Sequence, residues 1–371
     1  MTDWERTLAR WHKAGLIDDA TADRIRAFEQ EQSGSTAWRW PAVVALVFGG
    51  LMLAAGVLLF VAAHWDTLSP AVRFTLVVSM VGAFHFAAAF FTRRAQALAT
   101  TLHGVGTVSL GAGIYLSGQI FNMREHWPSA VLMWALGAGI GWLLLRDWVQ
   151  FALFAMLAPF WLAGEWTELF PRVGGDAFRA LAEGLLLTAL TYLAARSRAL
   201  DGANRRVLMW IGGIFLLPCA IALGLESQLY RNESNPSPGP LWIGYLLSFA
   251  LPLGAAFILR GRDMWMNAVA AAWVFLLGVI ATTNNIGVYL WCAAGAAGLI
   301  AWGVRDGRSE RVNLGMIGFA ITLLFFYFSE VMDKLGRSAS LIGLGLLFLA
   351  GGWAFEKMRR RFVAQARETA A

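Results

Sequence analysis

Residues 69–94 read SPAVRFTLVVSMVGAFHFAAAFFTRR. After Arg73 no Lys, Arg, Asp or Glu interrupts this run until Arg93 and Arg94, so at about 1.5 Å per helical residue it can cross a hydrocarbon core of roughly 30 Å. The same pattern repeats in both directions. Apolar stretches fall near 41–63, 69–91, 96–121, 128–145, 148–164, 176–195, 204–224, 240–259, 263–281, 286–304, 311–330 and 338–355, separated by short polar links. Of 371 residues, 58% are hydrophobic and 15% charged, a balance foreign to soluble domains. The expected fold is all-α: a polytopic integral membrane helix bundle of about 12 transmembrane helices with a small N-terminal cytosolic helical hairpin.

Charge sets the orientation, because Lys and Arg in short loops stay on the cytoplasmic side. Twenty-three of the 30 Lys and Arg fall on one side of the zigzag, in the N-terminal forty residues, in every second link (Arg93–Arg94, Arg146, Arg196–Arg206, Arg260–Arg262, Arg305–Arg311) and in the tail from Lys357 to Arg367. Counting acids too, that side carries a net +9 and the other −3. Both termini are therefore expected in the cytoplasm, which requires an even number of spans. The net +6 reads as topology and as affinity for anionic lipid, with no nucleic-acid partner. The domains expected are residues 1–36, a hairpin and linker; 37–356, the multi-span domain; and 357–371, a basic cytosolic tail.

The first forty residues lack the apolar core of a cleavable signal peptide. Trp4, Leu8, Trp11, Leu16, Ile17, Ala20, Ile25 and Phe28 instead recur at spacings that suit two amphipathic helices joined at Ala14-Gly15, with Asp18 or Asp19 capping the second. A hairpin this small buries little alone. It docks on its own membrane domain, lies at the lipid surface, or binds a cytosolic protein through Trp4, Trp11 and Phe28.

This hairpin with its Gly-Leu-Ile, a first span closing on Phe60-Val61-Ala62-Ala63-His64-Trp65-Asp66, and a third closing on Gly118-Gln119-Ile120-Phe121-Asn122 resemble a bacterial family of membrane proteins catalogued as domain of unknown function 2157. The resemblance covers about the first 150 residues. It implies a topology and a bacterial inner (cytoplasmic) membrane, and supplies no reaction.

No Walker loop, dinucleotide fingerprint, nucleophile elbow or HExxH motif occurs. No catalytic residue, cofactor or metal is therefore expected. Cys219 and Cys292 lie far apart in apolar spans, as packing residues. His85 and His103 lie at similar depth, about 10 Å inside the boundary of two spans joined by Arg93-Arg94. They are placed to hydrogen-bond between helices or to handle protons. At the opposite face stand His64-Trp65-Asp66 and Arg124-Glu125-His126-Trp127, beside an acidic rim that includes Glu165, Glu168 and Asp176.

Within the spans, Glu183 is the one carboxylate away from a helix end, with Arg179 one turn earlier. Two readings follow: an outward-facing ion pair near the interface, or a coupling carboxylate in a transport path. Gln119 and Asn122, then Thr282 to Asn285, gather amides at outer helix ends, where they line a cavity or cap helices. Gly104, Gly111 and Gly118, Gly106 and Gly113, Gly137 to Gly141, and Gly295 with Gly298 form small stripes that allow close helix contact. Pro218 and Pro252 lie inside spans and free a carbonyl or bend the helix. Trp134 leading to Arg146-Asp147 parallels Trp291 leading to Arg305-Asp306, the trace of a possible duplication. Two functions fit: a transporter or permease for a small solute or ion, and a membrane-anchored scaffold or sensor working through the hairpin. A membrane transferase using an outer His and carboxylate is a distant third.

Overall fold

The computed structural model describes residues 11–12, 14–34, 63–64, 68–120, 126–170, 175–196, 202–224, 238–281 and 286–331. It also describes isolated positions at 8, 44–45, 48–52, 55–56, 59, 342–343 and 345. Every described element is helical: α1 (Asp19–Gly34), α2 (Pro70–Phe91), α3 (Gln96–Ile120), α4 (Trp127–Leu145), α5 (Trp148–Leu169), α6 (Gly175–Leu193), α7 (Ala203–Gly224), α8 (Pro238–Arg260), α9 (Trp265–Ala281), α10 (Ile286–Arg305) and α11 (Ser309–Phe326). The chain forms two units, residues 1–109 and 110–371, whose boundary falls within α3.

Eight stretches among the described residues are long and apolar enough to cross a membrane. The expected spans from 69–91 to 311–330 each fall on one helix, although the run Pro240–Ala281 is continuous in hydropathy over 42 residues. The 3-10 turn Gly261–Met264, opened by Gly261 at φ +59, divides it into α8 and α9. Helix α6 is not among the eight, because it carries Asp176, Arg179 and Glu183. The first expected span is described only at scattered helical positions, and the last, 338–355, lies outside the described residues except at three of them.

In the first unit, Asp18 caps α1 by accepting from the Thr21 amide at 3.0 Å. The Thr21 side chain first, and that amide second, hold its carboxyl below the ordinary value. Gly15 takes φ +68 in the turn before it, a conformation open to a residue without Cβ. Leu8 and Ala22 are buried, while Trp11 and Phe28 are exposed; Trp4 lies outside the described residues. Ser69 caps α2 through the Val72 amide, with Pro70 in the first turn. Met80, Phe84 and Val105 form a small core between α2 and α3.

The second unit is built around α6. Its inward side chains, from Ala177 to Leu193, are buried on several faces by α7, α8 and α9. Its neighbours instead turn large apolar groups outward, such as Trp210, Trp242 and Ile258, as expected where the surrounding solvent is lipid. Polarity and position thus agree: the least apolar helix of this unit is sheathed by its neighbours.

Glycine allows the closest approaches. A Cβ at Gly212 would collide with the α6 backbone at Ala189 and Leu193, and one at Gly111 with the Trp134 ring. Gly295 is likewise covered by Trp273. Gly298 departs from the expected contact stripe, since a Cβ there meets nothing within 4 Å among the described residues. Gly212→Ala is expected to destabilise the fold by about 2 kcal/mol, the scale of core overpacking. Gly254→Ala, where a Cβ also meets open space, should be neutral or stabilising. Thermal melts in detergent, followed by tryptophan fluorescence, compare the two.

Candidate functional site

Helix α6 threads a line of polar groups through the second unit. At 100° per residue, Asp176, Arg179, Glu183, Thr191 and Ala194 stay within about 60° of one another's mean direction, so they share a face over about 27 Å. Asp176 and Arg179 form an ion pair at the first turn. One turn on, Glu183 is only 1% exposed. The outward-facing pair is therefore not what the chain builds: Glu183 lies inside the bundle against α9, where a Cβ at Gly278 would run into its Oε1. Gly278 thus makes the room the carboxylate occupies. Ser248 of α8 donates to the Ala180 carbonyl at 2.6 Å beside it.

Further along, the Thr191 hydroxyl donates to the Pro252 carbonyl and accepts from Asn267 Nδ2, both at 3.4 Å. Asn267 is fully buried, and its Oδ1 finds no donor among the described residues. Between Glu183 and Thr191, about 12 Å apart along the axis at the helical rise, the buried side chains are Leu186, Leu187, Ala189 and Leu190, an apolar plug.

The line ends in an ionic node at the arginine-rich rim. Asp306, in the turn between α10 and α11, accepts from Arg311 Nη1 at 2.5 Å, Arg260 Nη2 at 3.0 Å and Trp302 Nε1 at 3.2 Å. Both arginines also donate to the Ala194 carbonyl at the end of α6, Arg260 at 2.6 Å and Arg311 at 3.2 Å; Arg311 reaches the Arg196 carbonyl as well. Their guanidinium groups lie over the Trp302 ring, 5.4 and 5.0 Å from its centroid. Arg205 ties the Ala195 and Leu259 carbonyls at 2.7 Å each, and Arg196 pairs with Glu310 at 2.6 Å. The turn itself closes on Gly307 at φ +66. Burial raises the Asp306 carboxyl, yet Arg311 and Arg260 together hold it below its ordinary value.

These arginines read from sequence as a topology signal alone. Their second role has one trace in the chain: Asp306, an acid set between Arg305 and Arg308 in an otherwise basic link.

The histidines meet in two places. His85 and His103 approach Nδ1 to Nδ1 at 3.0 Å with ring centroids 5.3 Å apart, so one nitrogen carries the proton and the other accepts it. Gly106 clears the space for the His85 ring. His126 bonds Glu165 at 2.7 Å, and Trp161 donates to the same carboxylate at 2.9 Å. His64 is exposed in a turn, and Gln119 lies in the last turn of α3. Trp65, Asp66, Asn122, Glu125 and Thr282 to Asn285 lie outside the described residues. Cys219 and Cys292 are free thiols. Among the described residues no group of three or more His, Cys, Asp or Glu is placed to hold a metal.

Fold and site together define a multi-helix membrane protein with a buried polar seam. Residues 9–151 match the family described as Predicted membrane protein (DUF2157), the family that the hairpin and first spans resemble. No curated protein and no solved structure matches the chain.

Asp306→Asn should destabilise the protein by about 3–5 kcal/mol, because it strips the counter-charge from two buried arginines. The sign with pH follows from the depressed carboxyl: the stabilisation is full above its ordinary value and is lost as pH falls through the lowered one. Wild-type and variant melting temperatures should therefore converge at low pH.

Proposed function

We propose that the protein is a permease-like carrier of the bacterial inner membrane, both termini cytoplasmic, that moves a small solute or ion along α6. The observation that carries this reading is the buried carboxylate Glu183 in line with Asp176, Arg179, Thr191, Asn267 and the Asp306 node. Ionisable side chains at membrane depth are expensive and are kept where charge is handled. The apolar plug from Leu186 to Leu190 then corresponds to a closed resting state, which passage of a substrate must part. Coupling falls to Glu183, the carboxylate able to take up and release a proton inside the bundle. Protein reconstituted in liposomes with a trapped pH dye should show a potential-driven proton flux that Glu183→Gln lowers at least tenfold. Absence of protein-dependent flux of H+, Na+ or K+, with Glu183→Gln indistinguishable from wild type, overturns the reading.

A second reading rests on Trp11, Leu16 and Phe28, which leave apolar area exposed around α1. It makes the N-terminal segment the working part of a scaffold or sensor that captures a cytosolic protein. On the carrier reading, removing residues 1–32 leaves flux within about twofold of wild type, an effect below roughly half a kcal/mol; on the scaffold reading it abolishes the cellular phenotype of the intact gene product.

A further inference from the structure

A cavity of about 510 Å³ opens between α7, α9, α10 and α11, with Leu190 of α6 and Trp302 of the Asp306 node in its wall. That is the size of a small-ligand pocket. Along α10 it runs from Val288 to Trp302, about 20 Å at the helical rise. It therefore extends along much of a membrane's thickness. Leu216 and Ile221 of α7, Trp273 of α9, Trp291 and Cys292 of α10, and Phe325 of α11 line it.

The indole and threonine polar atoms of this lining are already committed, which leaves the Tyr289 hydroxyl and the Cys292 thiol. Trp273 Nε1 donates to the Trp291 carbonyl and Trp291 Nε1 to the Trp273 carbonyl, both at 3.0 Å. Thr322 donates to Gly318 at 2.8 Å, and Trp302 to Asp306. One hydroxyl and one thiol are too few to replace the hydrogen bonds that a hydrated ion or a sugar leaves in water. A long hydrocarbon chain needs none. Access is sideways, because Val269, Leu276 and Phe325 line the cavity and are also exposed on the bundle surface. Gly298 leaves its wall open, with nothing among the described residues within 4 Å of a Cβ built there.

The inner end supplies the charge. Met266 lines the cavity, and its Sδ accepts from Arg305 Nη1 at 3.5 Å. The Arg305 guanidinium lies 4.6 Å from the Trp265 ring centroid. Arg305, Arg262 and Trp265 are all exposed. A cation set on an interfacial tryptophan at the mouth of an apolar slot matches a phosphate attached to an acyl chain. Asp263 is the exposed acid nearby, leaving Arg262 and Arg305 in excess. We propose that this cavity is a lipid site: it takes one acyl chain of an anionic phospholipid, whose phosphate sits at Arg305 beside Trp265.

The test uses the full chain in nanodiscs of phosphatidylethanolamine and phosphatidylglycerol, with trace phosphatidylglycerol carrying a diazirine in its acyl chain. After irradiation, adducts are mapped by peptide mass spectrometry. The expected result is labelling concentrated on Trp273, Trp291 and Cys292, competed by unlabelled phosphatidylglycerol. Gly298→Leu, which fills the open wall, should cut it at least fivefold while the protein still elutes as a single species. Slowed alkylation of Cys292 by a lipophilic maleimide in phosphatidylglycerol reads the same occupancy without a substitution. Arg305→Gln should remove the preference for phosphatidylglycerol over phosphatidylethanolamine and leave cavity labelling in place. Equal capture of both lipids by the wild type overturns the headgroup assignment, as does stronger competition by free palmitate than by phosphatidylglycerol. Adducts spread evenly over outward residues such as Phe86 and Ile258 overturn the site. A disulfide formed readily between Cys292 and a cysteine placed in residues 338–355 also overturns it, because the chain itself would then fill the slot.

Discussion

Asp306 holds Arg260 and Arg311, and those two arginines hold the end of α6. A helix leaving the membrane has carbonyls without intrahelical partners, and burying them unsatisfied is costly. Here the carbonyls of Ala194, Ala195, Arg196 and Leu259 are met by arginine side chains from other helices. The arginines are buried in turn, Arg311 to 1% exposure, so their charge must be answered, and Asp306 with the Trp302 ring answers it. A buried ion pair of this kind contributes little net stability over an apolar core, but removing one partner is severe. It therefore fixes the register of α6, α8, α10 and α11 at one rim more than it strengthens the bundle.

From that rim the rest of the second unit follows. With its end fixed, α6 can be sheathed by α7, α8 and α9 and can carry charge that a lipid-facing helix could not. Gly212 lets α7 close onto α6 backbone to backbone, and Gly278 gives Glu183 its space. Where a glycine has no opposing ring, as at Gly298, the same economy of side chain leaves a cavity. Small residues thus line both close contacts and an opening, and the difference lies in what the neighbouring helix presents. Trp134 and Trp273 close the gaps over Gly111 and Gly295, while no described residue covers Gly298.

Much of the helix layout was legible in the chain. The spans from 69–91 to 311–330 fall on helices because hydropathy and length answer to a single requirement, the thickness of the hydrocarbon layer. The cap at Asp18 and the meeting of His85 with His103 were legible too, since both depend on local spacing or on two helices joined by a short link. The environment of Glu183 was not. Its burial depends on α9, some ninety residues downstream, and no local pattern says whether a charged helix face turns to a rim or to a core. The Asp306 node was hidden for the same reason: its partners come from residues 194 to 311, and each arginine looked like every other arginine of a basic link.

The sequence by itself determined that this chain carries many helices long and apolar enough to cross a membrane, which links are basic, and where most of those helices lie, because these properties are set residue by residue against lipid and water. Tertiary structure alone decided which helix lies at the centre, which arginines are spent on helix ends and which stay exposed, and where a cavity remains. Those outcomes depend on pairs of side chains brought together from distant helices, and contact between distant helices leaves no periodic mark on either one.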